Sequence, residues 1–531
     1  MMNQLFYGDN LDVLRNKIKD ESVDLCYIDP PFNSKRNYFQ IYNNVGKEDA
    51  AQAQAFIDTW TWNELAELGW LDITQTRQSD YTRQTIELLK GLRAVLGTGS
   101  LLAYLVSMTQ RVNEIWRVLK PTGSFYLHCD PTCSHYLKLM LDSIFCPRGG
   151  DYLNEIVWER TFNSGSSKSI ARKFPTNTDS LFLYSKTSEY LFNKINRPYS
   201  QGALKRYDKI DEQGRRFKWN PLKTVSAERL NRLLESGEAK IILTSKYPVY
   251  KHYFNEEKGA PVSNLWNDIG QIGTFGGERL GYPTQKPETL LERIIQASSN
   301  AGDLVLDAYC GCGTTVAVSQ RLNRSWIGID ITYQSIALIL QRLEDSFGSD
   351  VLTNISLSGI PRDMAFARAL ANKKDDRLRK EFEKWAVLTY SNNRAVINDK
   401  KGADKGIDGV AYIATGKEKT ATAPVIIQVK SGKVQRNDIA TLRGDMAREQ
   451  AVMAVLITLE EPTKPMRDEA IAAGFYQHEF LHRNYPCIQI VTIREMLEDG
   501  RRSDLPLHHA VIKKAAAAKT SEQGILLAGD D

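Results

Sequence analysis

Two short segments carry residue types that could do chemistry together. Asp29-Pro30-Pro31-Phe32 follows the apolar run from Val23 to Ile28, and a glycine-containing turn follows the apolar run from Leu304 to Leu306. The first segment could hold the exocyclic amine of a base, and the second could hold a nucleoside cofactor. Each segment alone could also be ordinary structure, because a rigid turn can follow any buried strand and the pattern GxG is common by chance.

The chemistry of the first segment follows from its hydrogen-bond acceptors. An exocyclic amine is a poor nucleophile because its lone pair is delocalised into the ring, and the base must first leave the duplex. The Asp29 carboxylate and the Pro30 carbonyl could accept its two N–H groups and stabilise the positive charge that develops as a methyl group arrives. Phe32 would stack on the base, while Pro30 and Pro31 would keep the turn rigid. No covalent intermediate is required, so we assign no catalytic cysteine.

The glycine-containing turn reads Asp307-Ala308-Tyr309-Cys310-Gly311-Cys312-Gly313-Thr314-Thr315. With the catalytic segment preceding this turn, the chain resembles the beta class of DNA amino-methyltransferases over about its first two thirds. The resemblance implies S-adenosylmethionine as the cofactor and a binding turn made by Asp307, Tyr309, Gly311, Gly313 and Thr314. Tyr309 stands where this family usually has Phe.

Three further segments supply cofactor-binding candidates, and the second and third of them match the same family. Asp330, after the apolar run Trp326 to Ile329, is placed like the acidic residue that binds ribose hydroxyls; its alternative role is a helix cap before Thr332. In Tyr282-Pro283-Thr284-Gln285-Lys286-Pro287, the resemblance makes Thr284 and Lys286 candidates for the methionine end of the cofactor. Asp9, which ends Phe6-Tyr7-Gly8-Asp9, matches an acidic position near the cofactor adenine.

The target base is left open between adenine N6 and cytosine N4, since both are amidine-like amines. The resemblance favours adenine, because cytosine-N4 enzymes of this group commonly begin the catalytic segment with Ser. Related RNA or protein-glutamine methylases typically carry Asn there, so Asp29 argues against them. We expect site-specific methylation of double-stranded DNA within a restriction-modification activity.

Apolar runs that end in Gly, Asp or Pro alternate with helical patterns from Met1 to about Ser346, which predicts βα units, a mostly parallel sheet and a doubly wound, Rossmann-like α/β fold. The predicted strands are Gln4 to Tyr7, Val23 to Ile28, Ser124 to His128, Glu155 to Trp158, Ser180 to Tyr184, Leu304 to Leu306 and Trp326 to Ile329. The predicted helices are Asp80 to Leu96, Leu101 to Val118, Cys133 to Ile144, Pro287 to Ala297, Thr314 to Leu322 and Thr332 to Phe347.

Residues 193–273 break this alternation with a basic and aromatic stretch. Its basic residues are Arg206, Lys209, Arg215, Arg216, Lys218, Lys223, Arg229 and Arg232, and its aromatic residues are Tyr207, Phe217, Trp219, Tyr247, Tyr250, Tyr253 and Trp266. Basic groups neutralise phosphates and aromatic rings stack on bases, so an inserted target-recognition region is predicted. The alternative is a solvated insertion with a small core of its own.

A second set of candidate residues lies near the C-terminus. Asp408 opens one predicted strand, and Gln428 and Lys430 lie on the next, Pro424 to Gly432. Asp408 and the Gln428 side-chain carbonyl would hold Mg²⁺, while Lys430 would orient the attacking water. The pattern resembles the Mrr-like form of the PD-(D/E)XK endonuclease fold, whose first acidic position Glu383 would match. The alternative is a solitary DNA methylase, acting on adenine N6 or cytosine N4, whose degenerate C-terminal domain only binds DNA.

Length and composition set the remaining expectations. At 531 residues the chain exceeds one ordinary core, and the patterns divide it into 1–192 and 274–350 as the two methyltransferase halves, 193–273 for recognition, 351–380 as a linker, 381–512 as the nuclease-like domain and 513–531 as a flexible tail. The net charge of +5 permits DNA binding. The seven scattered cysteines form no paired zinc pattern. With no apolar run long enough for a membrane span, a cytoplasmic protein is expected; a homodimer is left open.

Overall fold

The structure is a computed structural model. It describes residues 2–32, 37–41, 52–57, 60–75, 81–161, 174, 176–199, 201–243, 245–255, 259–273, 278, 280, 282, 284–361, 363–372, 376–392, 394–398, 406–415, 422–478 and 481–507. The flexible tail expected over 513–531 lies outside the described residues. Within those residues, no helix is both long and apolar enough to cross a bilayer.

The described elements are numbered in chain order. The strands are β1 Asn3–Tyr7, β2 Val23–Ile28, β3 Asn37–Ile41, β4 Gln52–Ile57, β5 Leu119–Cys129, β6 Asp151–Glu159, β7 Thr178–Ser185, β8 Asn196–Arg197, β9 Lys209–Ile210, β10 Arg216–Pro221, β11 Ala239–Lys240, β12 Val249–Tyr253, β13 Ala260–Pro261, β14 Leu265–Trp266, β15 Leu304–Asp307, β16 Ser325–Asp330, β17 Ile355–Ser358, β18 Ala395–Ile397, β19 Gly409–Ala414, β20 Thr422–Lys430, β21 Met453–Thr458, β22 Phe475–His478, β23 Arg483–Pro486 and β24 Ile488–Thr492. The helices are α1 Asn10–Lys17, α2 Glu64–Gln75, α3 Arg83–Leu96, α4 Ser100–Val118, α5 Ser134–Phe145, α6 Gln201–Leu204, α7 Ala227–Glu235, α8 Glu288–Ser298, α9 Thr314–Arg321, α10 Tyr333–Phe347, α11 Asp350–Thr353, α12 Met364–Ala371, α13 Asp376–Tyr390, α14 Arg436–Arg448, α15 Lys464–Ala472 and α16 Ile493–Glu498.

A large mixed sheet organises most of the chain, in the order β14-β6-β7-β5-β2-β15-β16-β1-β17. Strand β7 is antiparallel to β5 and β6, and the other neighbouring pairs are parallel. Leu5 and Tyr7 belong to one apolar core while Phe6 between them belongs to another, so both faces of the sheet are covered. The predicted doubly wound, Rossmann-like α/β fold is confirmed.

Four adjacent parallel strands in the middle of this sheet end in, or just before, an acidic residue. Asp29 follows β2, Asp307 ends β15, Asp330 ends β16 and Asp9 follows β1. These strands are neighbours in the order β2-β15-β16-β1. Because carboxyl ends of parallel strands meet at one edge of a sheet, where α/β folds bind ligands, the fold brings distant sequence segments to a single site.

Residues 193–264 form a separate compact unit. It contains a four-stranded sheet in the order β11-β12-β10-β9 and the antiparallel pair of β8 and β13. Tyr207 and Phe217 are buried within it, whereas the basic side chains predicted for recognition are exposed, apart from half-buried Lys218. Trp266, placed in the recognition region by its sequence, instead lies in β14 and pairs with β6 of the large sheet.

The C-terminal region forms a five-stranded sheet in the order β18-β19-β20-β21-β24. Strands β18, β19 and β20 are antiparallel, and β20, β21 and β24 are parallel, with α13 before the first strand and α14 between β20 and β21. Residues 351–380, predicted to be a linker, differ from that expectation. They contain β17, which pairs with β1 on the edge of the large sheet.

The large sheet and the C-terminal region share one apolar core. Trp326 and Ile336 on the methyltransferase side belong to the same buried cluster as Phe382 and Trp385 of α13. A polar contact accompanies this packing, because the Tyr333 N–H at the start of α10 donates to Glu381 Oε2 at 3.0 Å. The C-terminal region therefore packs as part of the same body as the cofactor-side half of the sheet.

Candidate active site

The Asp29 carboxylate has two differently used oxygens. Its Oδ2 accepts a hydrogen bond from Lys286 Nζ at 2.5 Å, within an ion pair in which both side chains are largely buried. Its Oδ1 is buried and has no hydrogen-bond partner among the described residues. A buried acceptor without a partner is costly unless a ligand completes it, so Oδ1 is available for an N–H group of a substrate.

Lys286 links the catalytic segment to the glycine turn. Its ammonium lies 5.4 Å from the Phe32 ring centre, and its backbone carbonyl accepts from Thr314 Oγ1 at 3.3 Å. Its role at the methionine end of the cofactor stays a prediction; the contact seen here is with Asp29. Thr284, the other candidate in that segment, is exposed and has a positive φ of 65°.

Phe32 lies at the far end of the catalytic segment, partly buried against the apolar core of the sheet. Its ring is stacked with that of His128, with centroids 6.2 Å apart and an interplanar angle of 24°. Its carbonyl accepts from Cys133 Sγ at 3.3 Å. Pro30 and Pro31 fix the backbone between Asp29 and Phe32, so the carboxylate and the ring are held in one rigid turn.

The glycine turn needs its glycines for space and for backbone conformation. Gly311 and Gly313 have φ of 50° and 73°, which side-chain-bearing residues rarely adopt. A Cβ at Gly311 would lie 3.1 Å from the Tyr282 ring, and one at Gly313 would lie 2.7 Å from Ile339 Cγ1. The turn leads into α9, whose amino-terminal N–H groups begin at Thr314 and can bind an anionic group.

Asp307 and Asp330 end the neighbouring strands β15 and β16, so both carboxyl groups lie at the same edge of the sheet. Asp330 Oδ2 accepts the Gly311 N–H and Oδ1 accepts the Thr332 N–H, both at 2.9 Å, so it braces the glycine turn and also caps α10. Burial raises the pKa of Asp330 to about 6, although these hydrogen bonds oppose the rise. Burial likewise raises the pKa of Asp307 to about 7, opposed by bonds from Thr315 and the Tyr309 N–H.

Asp9 caps α1 by accepting the Leu11 N–H at 2.8 Å, and it pairs with Arg111 at 2.9 Å. Arg111 Nε also donates to Asn10 Oδ1 at 2.5 Å, and Asn10 Nδ2 donates to the carbonyl of Ala308 at 2.8 Å. Asp9 is thereby connected to the glycine turn through Asn10. Tyr309, on the same turn, donates its hydroxyl to Met108 Sδ at 3.5 Å.

These groups fit S-adenosylmethionine. Asp330 Oδ2 accepts one hydrogen bond and can accept a second from a ribose hydroxyl, whereas Oδ1 already accepts two from Thr332. The close approach of backbone at Gly311 leaves no room for a side chain. The carboxylates of the edge suit the positively charged sulfonium, and Asp29 Oδ1 remains free for a methyl acceptor.

The structure therefore brings most of the predicted methyltransferase residues to one strand edge, and it adds residues that sequence reasoning missed. Arg111 holds Asp9, and the buried pair of His128 and Asp179 lies beside Phe32. A signal for the pair was present, since His128 ends one predicted strand and Asp179 precedes another. Nothing in the sequence showed that those strands are neighbours.

The predicted nuclease residues are placed on the C-terminal sheet. Asp408 precedes β19, and its Oδ2 accepts the Val429 N–H at 2.7 Å. Gln428 is buried in β20, with its Nε2 donating to the Gly406 carbonyl and its Oε1 lacking a partner among the described residues. Lys430 ends β20 half-buried, and Glu383 lies half-buried on α13.

The magnesium site expected at these residues stays a prediction. Mg²⁺ is usually held by one or two carboxylates together with waters and substrate phosphates. The described part of the chain contains no group of three or more His, Cys, Asp or Glu side chains that could hold a metal ion. Asp408 and Gln428 alone supply one carboxylate and one amide oxygen, so no step is derived through Mg²⁺.

A doubly wound sheet with a glycine turn, a helix amino-terminus and an acidic residue on the next strand defines a Rossmann-like protein that binds a nucleoside cofactor. The family model N6_N4_Mtase, described as DNA methylase, matches residues 23–341, more than half of the chain. The chain belongs to this DNA methylase family. A second model, NACHT-associated inactive Restriction Endonuclease 1, matches residues 378–498.

Curated relatives are similar over parts of the chain. The type II methyltransferase M.EcaI of Enterobacter cloacae is 28% identical over 45% of this chain and 57% of its own length. The type III restriction-modification enzyme StyLTI Mod subunit of Salmonella typhimurium is 26% identical over 60% of this chain and 50% of its own length. The DNA adenine methyltransferase YhdJ of Escherichia coli is 26% identical over 64% of this chain and 82% of its own length. The chain thus spans about half the length of the first two relatives.

Among solved structures, the PvuII DNA methyltransferase, described as cytosine-N4-specific, is 15% identical and covers 67% of this chain and 91% of its own, with a TM-score of 0.35. M1.HpyAVI in complex with S-adenosylmethionine is 14% identical and covers 64% of this chain and 98% of its own, with a TM-score of 0.31.

Proposed function

We propose that this protein transfers a methyl group from S-adenosylmethionine to the exocyclic amine of a base flipped out of double-stranded DNA. The observation that carries the proposal is Asp29, whose Oδ2 is fixed by Lys286 and whose buried Oδ1 has no partner among the described residues. The membership of the chain in the DNA methylase family supports the same reaction.

The mechanism assigns each group of the catalytic segment a part. S-adenosylmethionine supplies an electrophilic methyl group when it is bound. Asp29 Oδ1 accepts one amine N–H and the Pro30 carbonyl accepts the other, which turns the nitrogen lone pair toward the methyl group and stabilises the charge that develops on nitrogen. Once the methyl group has moved, the nitrogen releases one of these hydrogens as a proton, for which Asp29 Oδ1 is the acceptor, and the demethylated cofactor leaves. Lys286 holds the carboxylate in place, and Phe32 stacks on the base.

Residues at the carboxyl ends of the parallel strands position S-adenosylmethionine, the other reactant. Asp330 is the candidate for the ribose hydroxyls, and Asp9, tied to the glycine turn through Asn10, is the candidate beside the adenine. Gly311 and Gly313 allow the backbone to approach the methionyl part. Because Thr314 bonds to the backbone of Lys286, the cofactor turn and the catalytic carboxylate are fixed relative to each other.

Adenine N6 is the proposed target. A segment beginning with Asp supports it, and the similar YhdJ is described as a DNA adenine methyltransferase.

Recognition of the DNA sequence is assigned to the compact unit 193–264, whose exposed basic side chains suit phosphate contacts. The names of the similar StyLTI Mod subunit and M.EcaI favour a place in a restriction-modification system.

Nucleoside mass spectrometry tests the proposal. Purified protein is incubated with unmodified plasmid DNA and S-adenosylmethionine in EDTA, and N6-methyladenine is the expected product. N4-methylcytosine would keep the mechanism and correct the base, whereas the absence of both products would contradict the proposal.

Asp29→Ala connects that product to the site. Removing an acceptor that acts in the transition state should lower the methylation rate by about 100-fold or more. Asp130→Ala is a matched control, since Asp130 follows the neighbouring strand β5 and only caps a turn at Thr132. Equal loss in both variants, or a normal rate with Asp29→Ala, would contradict the role of Asp29.

A second activity, DNA cleavage by the C-terminal region, is the subordinate part of the proposal. The order of α13, three antiparallel strands, α14 and a parallel strand, together with the unpartnered Oε1 of Gln428, supports it. The word inactive in the name of the matched model and the incomplete set of metal ligands argue against it.

The cleavage assay is independent of methylation. Supercoiled plasmid is incubated with protein and Mg²⁺ but without S-adenosylmethionine, and nicking is followed on agarose gels. Nicking that is lost in both Asp408→Ala and Lys430→Ala would support the nuclease. If wild-type protein leaves the plasmid intact, or if both variants nick it as fast as wild type does, the region does not cleave DNA.

A further inference from the structure

Three buried polar side chains form a chain of hydrogen bonds across neighbouring strands. The Tyr27 hydroxyl lies 2.9 Å from His128 Nδ1, and His128 Nε2 lies 3.1 Å from Asp179 Oδ2. They belong to β2, β5 and β7, which are adjacent in the large sheet. His128 is completely buried and Asp179 is 2% exposed. The mechanism proposed above gives none of these groups a role.

The partners of His128 fix how its ring is protonated. An ionised carboxylate only accepts hydrogen bonds, so Asp179 requires a hydrogen on Nε2. Burial opposes ionisation of Asp179, but the hydrogen bond from His128 and the nearby positive charges of Lys286 and Arg160 together lower its pKa. Arg160 Nε, 3.3 Å from Asp179 Oδ1, adds a favourable charge. Burial raises the pKa of Tyr27 well above its usual value, so its hydroxyl keeps the proton and can donate to Nδ1.

The ring of His128 also forms the support for Phe32. The two rings are stacked, and Trp158 packs edge-on against the imidazole with centroids 5.6 Å apart and an interplanar angle of 89°. His128 is therefore held in its plane by Tyr27 and Asp179 and held from the side by Trp158. Tyr27 itself is two residues before Asp29 on the strand that carries the catalytic segment.

We propose that His128 is a positioning residue that sets the plane of Phe32, and through it the plane of the flipped base, with Asp179 fixing the imidazole tautomer. The inference rests on the proposed methyl transfer, because Phe32 has this role only if a base stacks on it. A misplaced base keeps its binding energy to the rest of the protein but loses its alignment with Asp29 Oδ1. The chemical step then slows while binding changes little.

Asp179→Asn tests the tautomer without deleting an atom. The amide can donate to Nε2, which moves the imidazole hydrogen to Nδ1, so the Tyr27 hydroxyl has to accept from Nδ1 instead of donating to it. We expect kcat on plasmid DNA to fall by about 10-fold or more, with KM for DNA and Kd for S-adenosylmethionine each within about twofold of wild type. In ¹⁵N-histidine-labelled protein, the spectrum should show the inverted tautomer, with His128→Gln used to assign the signal.

Tyr27→Phe and Tyr126→Phe form a matched pair. Both residues are buried phenols on neighbouring strands, and Tyr126 loses a hydrogen bond to Ser298 instead of one to His128. Only Tyr27→Phe should lower kcat if the chain of hydrogen bonds acts through Phe32. An equal fall in both variants would show a general packing effect and overturn the inference.

The outcomes separate this inference from the function on which it rests. Wild-type protein that produces no methylated nucleoside refutes the proposed function, and the inference with it. Methylation by wild type, combined with unchanged kcat in Asp179→Asn after the tautomer has inverted, refutes the positioning role alone. Loss of S-adenosylmethionine binding in Asp179→Asn would show a role in folding and would also overturn the inference.

Discussion

The buried carboxyl of Asp307 should make the stability of the protein fall as the pH rises. Burial raises its pKa to about 7 from the ordinary 3.8. At about 1.4 kcal/mol per pH unit, that difference corresponds to about 4 kcal/mol of unfolding free energy. A group with a raised pKa contributes its full stability below the pKa of the unfolded chain, near pH 4. That contribution is lost as the pH rises to about 7, because the unfolded chain then releases the proton more readily.

Asp307→Asn isolates this contribution because the amide is neutral at every pH. Its side-chain carbonyl can still accept the Tyr309 N–H, which Asp307 Oδ1 accepts at 3.0 Å. Relative to the variant, wild-type protein should lose roughly 2–3 kcal/mol of unfolding free energy between pH 5 and pH 8. The measurement is urea unfolding of both proteins at intervals across this range, without S-adenosylmethionine.

Titrating groups that do not interact with Asp307 cancel in the difference between the two proteins, and only Asp29 and Asp330, whose charges also raise its pKa, contribute with it. Asp12→Asn, on the exposed side of α1, controls for the removal of a surface carboxyl. A difference between wild type and Asp307→Asn that stays constant from pH 5 to pH 8 would refute the reasoning. A relative gain in wild-type stability over the same range would refute it more strongly, because the ionised carboxylate would then be the stabilised form.

Three further substitutions test other contacts. Gly313→Ala places a Cβ 2.7 Å from Ile339 at a φ of 73°. Calorimetry should then show weaker S-adenosylmethionine binding, and urea unfolding should show an unfolding free energy lower by about 1–3 kcal/mol. Unchanged values would contradict the close approach. Lys286→Met leaves the Asp29 carboxylate buried without its partner, which should lower the unfolding free energy by about 3–5 kcal/mol. Adding Asp29→Asn should restore part of that loss in a double-mutant cycle, and strict additivity would argue against the ion pair. Glu381→Gln removes the negative charge at the start of α10 and should cost about 0.3–1 kcal/mol; an identical melting temperature would show that the contact contributes nothing.

The strand edge could be foreseen because it depends on local signals. Apolar runs that end in Asp or in Asp-Pro-Pro mark buried strands, and parallel strands place their ends together, so Asp29, Asp307 and Asp330 were predicted at one site. Gly311 and Gly313 were predictable for the same reason, since only glycine suits a turn of that conformation. For these residues, the residue type and the adjacent sequence are enough to predict the local structure.

The remaining contacts depend on pairings that no local pattern encodes. Lys286 meets Asp29 across 257 positions of sequence, and its segment pointed only to the cofactor. His128 and Asp179 meet because β7 inserts antiparallel beside β5, a choice that alternating hydrophobicity does not reveal. Strand β17 was missed because a four-residue edge strand has too short a pattern to recognise.

The shared apolar core of α10 and α13 would favour retention of the C-terminal region even if that region had no catalytic activity. If residues after β17 were deleted, the buried cluster that α10 shares with α13 would lose side chains such as Phe382 and Trp385, and apolar surface would be exposed to solvent. A lineage that lost DNA cleavage could therefore discard the nuclease residues one at a time, but it could not discard the fold that carries them. The C-terminal fold would in that case remain as part of the apolar core of the methylase after DNA cleavage had been lost.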